Sequence, residues 1–215
     1  LIFVLTLLTI AISHGFMNIP NMQELPDQFL TLQTPRLMLR KLLLSDAEDI
    51  FAYASDPLVS AYTLWDTHHS LNDTYRYLND IALEVYRSGK GIDWGIVDKK
   101  SNRLIGTCGL YTTPIHRRAE IGYALARDYW GQGLMTEVAK AAITFGFHVM
   151  QLLRIQAFCA LENIGSARVL EKSGMQFEGI LHNYIFTKNQ PWDVKMYAIT
   201  RSHTSSSLDV LDLPL

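Results

Sequence analysis

Cysteine is scarce in this chain of 215 residues: only Cys108 and Cys159 are present. Two cysteines cannot build a disulfide framework or a four-thiolate zinc site. Each sits in an apolar, strand-like run, where a buried free thiol is the plain reading. An excess of one charge sign is also missing, since 19 basic residues face 21 acidic ones for a formal net charge of −2. No global positive field points to nucleic acid or an anionic membrane, so neither a nucleic-acid partner nor a stable membrane association is expected. A long hydrophobic run is missing too. Residues Leu1–Ile12 are almost wholly apolar, but a membrane-crossing helix needs ~20 such residues. The stretch has the length of a secretory signal core without its charged leader. The expectation is that translation starts at Met17 or Met22 and that residues 1–16 stand outside the fold.

What is present is the composition of a globular protein: 48% hydrophobic and 19% charged residues, which excludes intrinsic disorder. Residues 33–200 contain no internal repeat and no Pro/Gly/Ser-rich linker. They read as one domain, with 1–32 an N-terminal extension and 201–215 a tail. Arg36–Arg40 alternates polar and apolar residues as a half-buried strand does. Ser45-Asp46-Ala47-Glu48 has the form of a capping box opening a helix over 46–54. A second helix is expected over 71–87, capped by Ser70, ended by Gly89, with Leu71, Tyr75, Leu78, Ala82 and Val85 on its apolar face. Trp94–Val97 and Leu104–Tyr111 read as a hairpin, and Ala119–Leu125 as the next strand. A helix begins at Leu134, with Val138, Ala141, Ala142 and Phe145 on its inner face. A strand at Leu153–Cys159, a helix from Asn163 to Lys172, and strands Phe177–Phe186 and Val194–Thr200 complete a mixed α/β sheet covered by helices.

The segment that points to chemistry is a strand running into Gly131-Gln132-Gly133 and then a helix. Two glycines let a backbone approach a ligand closely. A helix start offers free amides and a dipole that favours anions. Together they can cradle a phosphate or pyrophosphate. The third glycine of a dinucleotide fingerprint is absent, and so is the Gly-Lys-Ser/Thr of a Walker loop.

Ala119-Glu120-Ile121-Gly122-Tyr123, with Tyr129-Trp130-Gly131-Gln132-Gly133-Leu134, resembles the acetyl-CoA motif of the GNAT N-acetyltransferase superfamily. Asn163-x-x-Ser166-x-x-x-Leu170-Glu171-Lys172-x-Gly174 and Phe177-Glu178-Gly179 resemble the motif that follows it. Thr34-x-Arg36-Leu37-x-Leu39-Arg40 and Asp193-x-x-x-Tyr197 are similar to the ribosomal-protein N-terminal acetyltransferases of the Rim type. The resemblance spans about residues 33–200. It implies an α/β fold with a GNAT-like mixed central sheet and about four flanking helices. Three positions depart from the family pattern: Trp130 replaces an Arg or Gln, Met135 a Gly or Ala, and Leu170 the Tyr that serves many members as general acid.

The resemblance implies acetyl-CoA as co-substrate, with pantetheine bonded near Tyr123 and Leu125. The pyrophosphate would rest on Gly131, Gln132, Gly133, Leu134, Met135 and Thr136. Asn163 would hold the cofactor or cap its helix. Acetyl transfer also needs a neutral amine, and an alkylammonium is unreactive at neutral pH. Glu120 is the candidate base, through water; the alternative is a carboxylate on a solvated strand face. Ser166 is the candidate donor to the departing thiolate; the alternative is first-turn capping. Trp65 and Asp66 would wall the acceptor site, with a core role for Trp65 as the alternative. Tyr184 would face the cleft or simply pack on its strand. His68 and His69 are adjacent and point apart, so no metal site is assigned. The expected function is N-acetyl transfer to a protein N-terminal amine by a cytoplasmic monomer or homodimer. A small-molecule amine acceptor (polyamine, amino acid or aminoglycoside) and a non-catalytic acyl-CoA-binding module are the alternatives.

Overall fold

Stretches of alternating and continuous apolar residues, separated by short polar turns, produce eight strands in the described residues. The computed structural model describes residues 30–201, so the expectations for residues 1–16 and for the Ser-rich tail lie outside it. The strands are β1 (Leu32–Gln33), β2 (Leu37–Lys41), β3 (Gly91–Asp98), β4 (Arg103–Thr113), β5 (Arg118–Leu125), β6 (Arg154–Ala160), β7 (Gln176–Thr187) and β8 (Gln190–Thr200). The helices are α1 (Ala47–Ala54), the one-turn α2 (Pro57–Ser60), α3 (Leu71–Tyr77), α4 (Leu83–Ser88), α5 (Leu134–His148) and α6 (Ile164–Lys172). A π turn, Leu78–Ala82, joins α3 to α4. The strands form one sheet in the order β1-β2-β3-β4-β5-β6-β8-β7. Every neighbouring pair is antiparallel except β5 and β6, which are parallel. That exception follows from α5, the crossover helix between them.

The sheet separates two apolar layers. On one face α5 and α6 pack on Leu39, Trp94, Leu110, Ile121, Ile155 and Ile199. Eleven of the fifteen residues of α5 are buried, and the expected inner face of Leu134, Val138, Ala141, Ala142 and Phe145 is among them. Phe145 meets Trp94 edge to face at 5.2 Å. On the other face α1 and the α3–α4 segment pack Ile50, Tyr53, Leu78 and Ala82 on Leu42, Leu104 and Ala124. β3 runs between both layers and is buried almost throughout, as a strand covered on two faces must be. Leu30 and Leu32, upstream of the expected domain start, belong to this core. The Leu30 carbonyl accepts the Trp94 indole N–H at 2.6 Å.

Two local expectations are corrected. The helix over 71–87 buries Thr74, Leu78 and Ala82, while Leu71 and Tyr75 are exposed. Leu78 and Ala82 of the expected face are buried, but the row runs back from them at i−4 to Thr74 rather than to Tyr75 and Leu71. Ser70 and Gly89 do bound the segment, Gly89 at a left-handed φ of 65°. At α1 the box Ser45/Glu48 does not form. Asp46 reaches back instead: its Oδ2 accepts the Leu43 N–H at 2.8 Å. The same carboxylate takes both Arg40 Nη1 at 2.8 Å and Nη2 at 2.7 Å, a fork only a planar guanidinium can form. Asp46 is 6% exposed, so this pair ties β2 to α1 in a largely dry setting. Asp46→Ala would leave the Leu43 amide unpaired and the Arg40 guanidinium with only the Lys41 carbonyl and no countercharge there. The expected cost is about 2 kcal/mol, read as a lower urea midpoint at unchanged slope.

Candidate active site

The site begins where β5 and β6 part. Their register holds for only Arg118↔Arg154, Ala119↔Ile155 and Glu120↔Gln156. Beyond that β5 stays paired with β4 as far as Leu125, while β6 follows β8 as far as Ala160. Each strand keeps its other partner, so a gap opens between them. The Ala126 N–H donates to Ile105 at 2.8 Å. Antiparallel alternation then turns the backbone groups of Gly122 and Ala124 toward β4 and those of Tyr123 and Leu125 toward the gap. This is the backbone placement expected for contacts to an extended pantetheine arm. The Leu125 carbonyl already accepts the Trp130 indole N–H at 2.7 Å. Trp130, the departure from the family pattern, thus anchors the glycine turn to β5.

The turn lies on the α5–α6 side of the gap. Gly131 and Gly133 have φ of +73° and +75°, a region costly for residues with a Cβ. Gly133 caps α5, and its carbonyl accepts the Glu137 N–H at 3.1 Å. The amides of Leu134, Met135 and Thr136 precede the first intrahelical donor and so are free of the ladder. The side chains of Leu134 and Met135 are buried. What this turn presents is therefore backbone, and Met135 costs it no open space.

On the same side, Ser166 Oγ lies 2.9 Å from Tyr123 Oη, bridging α6 to β5 across the gap. The Ser166 N–H donates to Asn163 Oδ1 at 3.0 Å. Asn163 is therefore the helix cap, and the Ser166 hydroxyl is left for the gap. The buried Cys159 thiol also hydrogen-bonds with Ser166, although burial still pushes that thiol up from its ordinary pKa. Burial likewise raises the Tyr123 hydroxyl far above the usual tyrosine range, so it stays protonated.

Glu120 projects from the opposite face, toward α1–α4. It is half-buried, with Gln156 Nε2 donating to its Oε2 at 3.5 Å. Desolvation pushes its carboxyl above the ordinary range, against the pull of Gln156 and the field of Arg118. This is not a freely solvated strand carboxylate. Beside it Tyr111 lies over Gly109 and Gly122, both of which have no Cβ to obstruct the ring. Its hydroxyl and that of Tyr77 hydrogen-bond to Asp93, a carboxyl whose burial pushes it up to about 6.

The predicted acceptor residues ring this face. Tyr184 is 47% exposed and stacks edge to face on Phe158 of β6 at 6.1 Å. Trp65 is half-buried, 5.4 Å from the His68 ring, and packs on the second core layer. Its core role is thus met by packing. Asp66 is exposed and feels the charge of Lys188. Lys188 sits in the β7–β8 turn and donates to the carbonyls of Ser60 and Ala61, so this hairpin clasps the loop that carries Trp65 and Asp66. His68 is buried against Thr74 Oγ1 at 2.9 Å, while His69 is exposed. Among the described residues no group of three or more His, Cys, Asp or Glu side chains could hold a metal ion. No described helix is long and apolar enough to cross a membrane.

The structure therefore gathers Tyr123, Ser166 and the Gly131–Thr136 backbone on one side of the gap. Glu120 and Tyr184 stand on the other, and Asp66 is at the rim. Sequence reasoning missed Gln156, Tyr111 and Asp93. Only sheet register brings Gln156 and Tyr111 to Glu120 and Asp93 to the Tyr111 hydroxyl, and no local motif marks them.

A profile of the acetyltransferase (GNAT) domain matches residues 36–176. The uncharacterized N-acetyltransferase YoaA of Bacillus subtilis is 36% identical over 174 residues, covering 80% of this chain and 98% of its own. A solved GNAT-family acetyltransferase from Bacillus anthracis superimposes with a TM-score of 0.71 at 30% identity, covering 79% of this chain and 98% of its own. RimL, a ribosomal L7/L12 alpha-N-protein acetyltransferase solved with coenzyme A, shares the fold with a TM-score of 0.69 at 21% identity, covering 79% of this chain and 97% of its own. With a domain match over most of the described residues and a relative aligned nearly end to end, this chain belongs to the GNAT family of acetyl-CoA-dependent N-acetyltransferases.

Proposed function

We propose that this enzyme acetylates a protein N-terminal amine, as the Rim-type ribosomal-protein acetyltransferases do, by direct attack on acetyl-CoA. The observation that carries the catalytic reading is the parting of β5 and β6, with Glu120 on one face and the Tyr123–Ser166 pair on the other. A thioester in that gap can meet an amine from the Glu120 side and release its thiolate toward Ser166. The protein-acceptor reading draws support from RimL, which has the same fold. It also draws on the cleft's exposed aromatic rim at Tyr184 and acidic rim at Asp66, chemistry suited to a peptide end bearing a cation.

The reaction needs no covalent enzyme intermediate. The pyrophosphate rests on the amides from Gly131 to Thr136, and pantetheine runs along the backbone of Tyr123 and Leu125. Glu120 takes a proton from the ammonium through water, leaving a neutral nucleophile. The amine nitrogen attacks the thioester carbonyl, and backbone N–H groups in the gap stabilise the oxyanion. Attack forms the C–N bond, and collapse of the tetrahedral intermediate breaks the C–S bond. The departing thiolate takes a proton from the Ser166 hydroxyl, Ser166 regains one from Tyr123 and Tyr123 from solvent, and the amide nitrogen loses its remaining proton to solvent. An acceptor screen tests the substrate: peptides bearing free N-termini against polyamines, amino acids and aminoglycosides, reading free thiol and acetylated mass together. Acetylation of polyamines with N-terminal peptides left unmodified would overturn the protein-acceptor reading.

Three variants test the roles. Gly133→Val forces a branched residue to φ +75° and should weaken acetyl-CoA binding at least tenfold in calorimetry; unchanged affinity would remove the phosphate assignment. Ser166→Ala should lower kcat by ~10²-fold with little change in acetyl-CoA affinity, and a loss under about twofold would reduce it to packing. Glu120→Gln should keep cofactor binding and lose much of the rate near neutral pH. Glu120 works as the carboxylate, and burial raises its pKa. Wild-type kcat/KM should therefore fall as pH drops through that raised value, and the limb should vanish in the variant. An unchanged pH profile would place the base elsewhere.

A further inference from the structure

The arm made of β1, β2 and the turn between them reaches the start of α5 through Thr34 and, above all, Arg36. Arg36 donates from Nη1 to the Gln132 carbonyl at 2.9 Å, the residue between the two left-handed glycines. Its Nε and Nη2 lie 2.8 Å and 2.7 Å from Glu137 Oε2. Its own N–H reaches Oε1 at 3.0 Å, and Thr34 Oγ1 donates to the same oxygen at 2.5 Å. A Cβ built on Gly133 would come within 3.8 Å of Nη2, so the guanidinium lies against the turn.

Two physical consequences follow. A trans peptide is planar, so its C=O and N–H point in opposite directions. Holding the Gln132 carbonyl on Arg36 aims the Gly133 N–H the other way, off the arm. Glu137 also sits in the first turn of α5, close to where a bound pyrophosphate would place its negative charge. Desolvation pushes the Glu137 carboxyl up, but the hydrogen bonds from Thr34 and Arg36 outweigh it and hold it below the ordinary range. The carboxylate is therefore charged at neutral pH. Left unpaired, it would repel a phosphate.

We propose that Arg36 is a positioning residue for acetyl-CoA: it sets the Gly131–Gly133 turn through the Gln132 carbonyl and neutralises Glu137 beside the phosphate-binding amides. This rests on the pyrophosphate lying on that turn. Arg36 is a guanidinium here for its geometry, since one planar fork serves the carbonyl and the carboxylate at once.

The test measures acetyl-CoA affinity by calorimetry, together with kcat and KM for acetyl-CoA and for S-acetylpantetheine, which lacks the pyrophosphate. Arg36→Ala should raise the acetyl-CoA Kd and KM about tenfold, since both the hydrogen bond to the turn and the neutralisation of Glu137 are lost. It should leave kcat at saturation within about twofold and the S-acetylpantetheine KM nearly unmoved. Arg36→Ala/Glu137→Gln should recover part of the lost affinity, because the repelling charge is gone while the Gln132 carbonyl stays unheld. Glu137→Gln alone should bind acetyl-CoA severalfold tighter, with a steeper salt dependence, because Arg36 then faces the phosphates unneutralised. A purely structural contact predicts the opposite: weaker binding in Glu137→Gln and a double variant no better than Arg36→Ala. Either result overturns the proposal, as does an equal loss for both acetyl donors. If Arg36→Ala fails to fold, the Glu137→Gln affinity alone decides. If Gly133→Val weakens binding and Arg36→Ala does not, only the role of Arg36 falls. If neither does, the pyrophosphate placement falls with it.

Discussion

Two neighbouring strands that each keep an outer partner and lose one another govern this molecule. β5 is bound along its whole length to β4, and β6 along its whole length to β8. Only three residue pairs join β5 to β6 before the two diverge. Elsewhere in the sheet interior, backbone donors and acceptors are taken up mostly by ladders. At the divergence those of Tyr123 and Leu125 face a gap. Such groups are costly to leave without partners, which makes the gap a natural seat for an extended, amide-rich ligand. Trp130 takes one carbonyl there, and in doing so pins the following glycine turn to the same strand.

Side-chain chemistry is then divided by the sheet itself. Residues alternate across a strand, so Tyr123 and Glu120, three apart on β5, face opposite layers. Tyr123 meets Ser166 on the α6 side, where a protonated hydroxyl pair suits a leaving thiolate. Glu120 meets Gln156 on the α1–α4 side, where burial raises its proton affinity. In the proposed mechanism, acid and base functions would thus stand on opposite faces of the sheet. The same alternation places Tyr111 on the Glu120 side, where Gly109 and Gly122 make room for its ring and Asp93 holds its hydroxyl.

Local sequence was a good guide wherever one interaction between near neighbours decides the outcome. The α5 apolar face, the Gly89 stop and the Asn163 cap were legible because each depends on residues within a few positions. It misled where a distant group outcompetes a local one. Ser45 and Glu48 have the form of a cap, yet Asp46 takes the Leu43 amide because Arg40, on the neighbouring strand, holds its carboxylate in place. Leu71 and Tyr75 fit an apolar helical face, yet the row that meets α1 is Thr74, Leu78 and Ala82. The alternatives at Ser166 and Glu120 could not be separated in sequence either. Asn163 accepts the Ser166 amide and leaves the Ser166 hydroxyl to Tyr123, and the β5–β6 register sets Glu120 beside Gln156.

The amino-acid sequence by itself determined the elements, their order, the mixed α/β class and the strand–glycine-turn–helix unit. These depend on periodicity, breakers and backbone freedom, all of which are written in short windows of residues. Only the tertiary structure decided which residues meet at the gap. The pairing of Glu120 with Gln156, of Tyr123 with Ser166, and of Arg36 with Gln132 and Glu137 joins segments between 36 and 101 positions apart. No short-range pattern encodes such contacts, because they arise from which strands stay paired and which are forced to part.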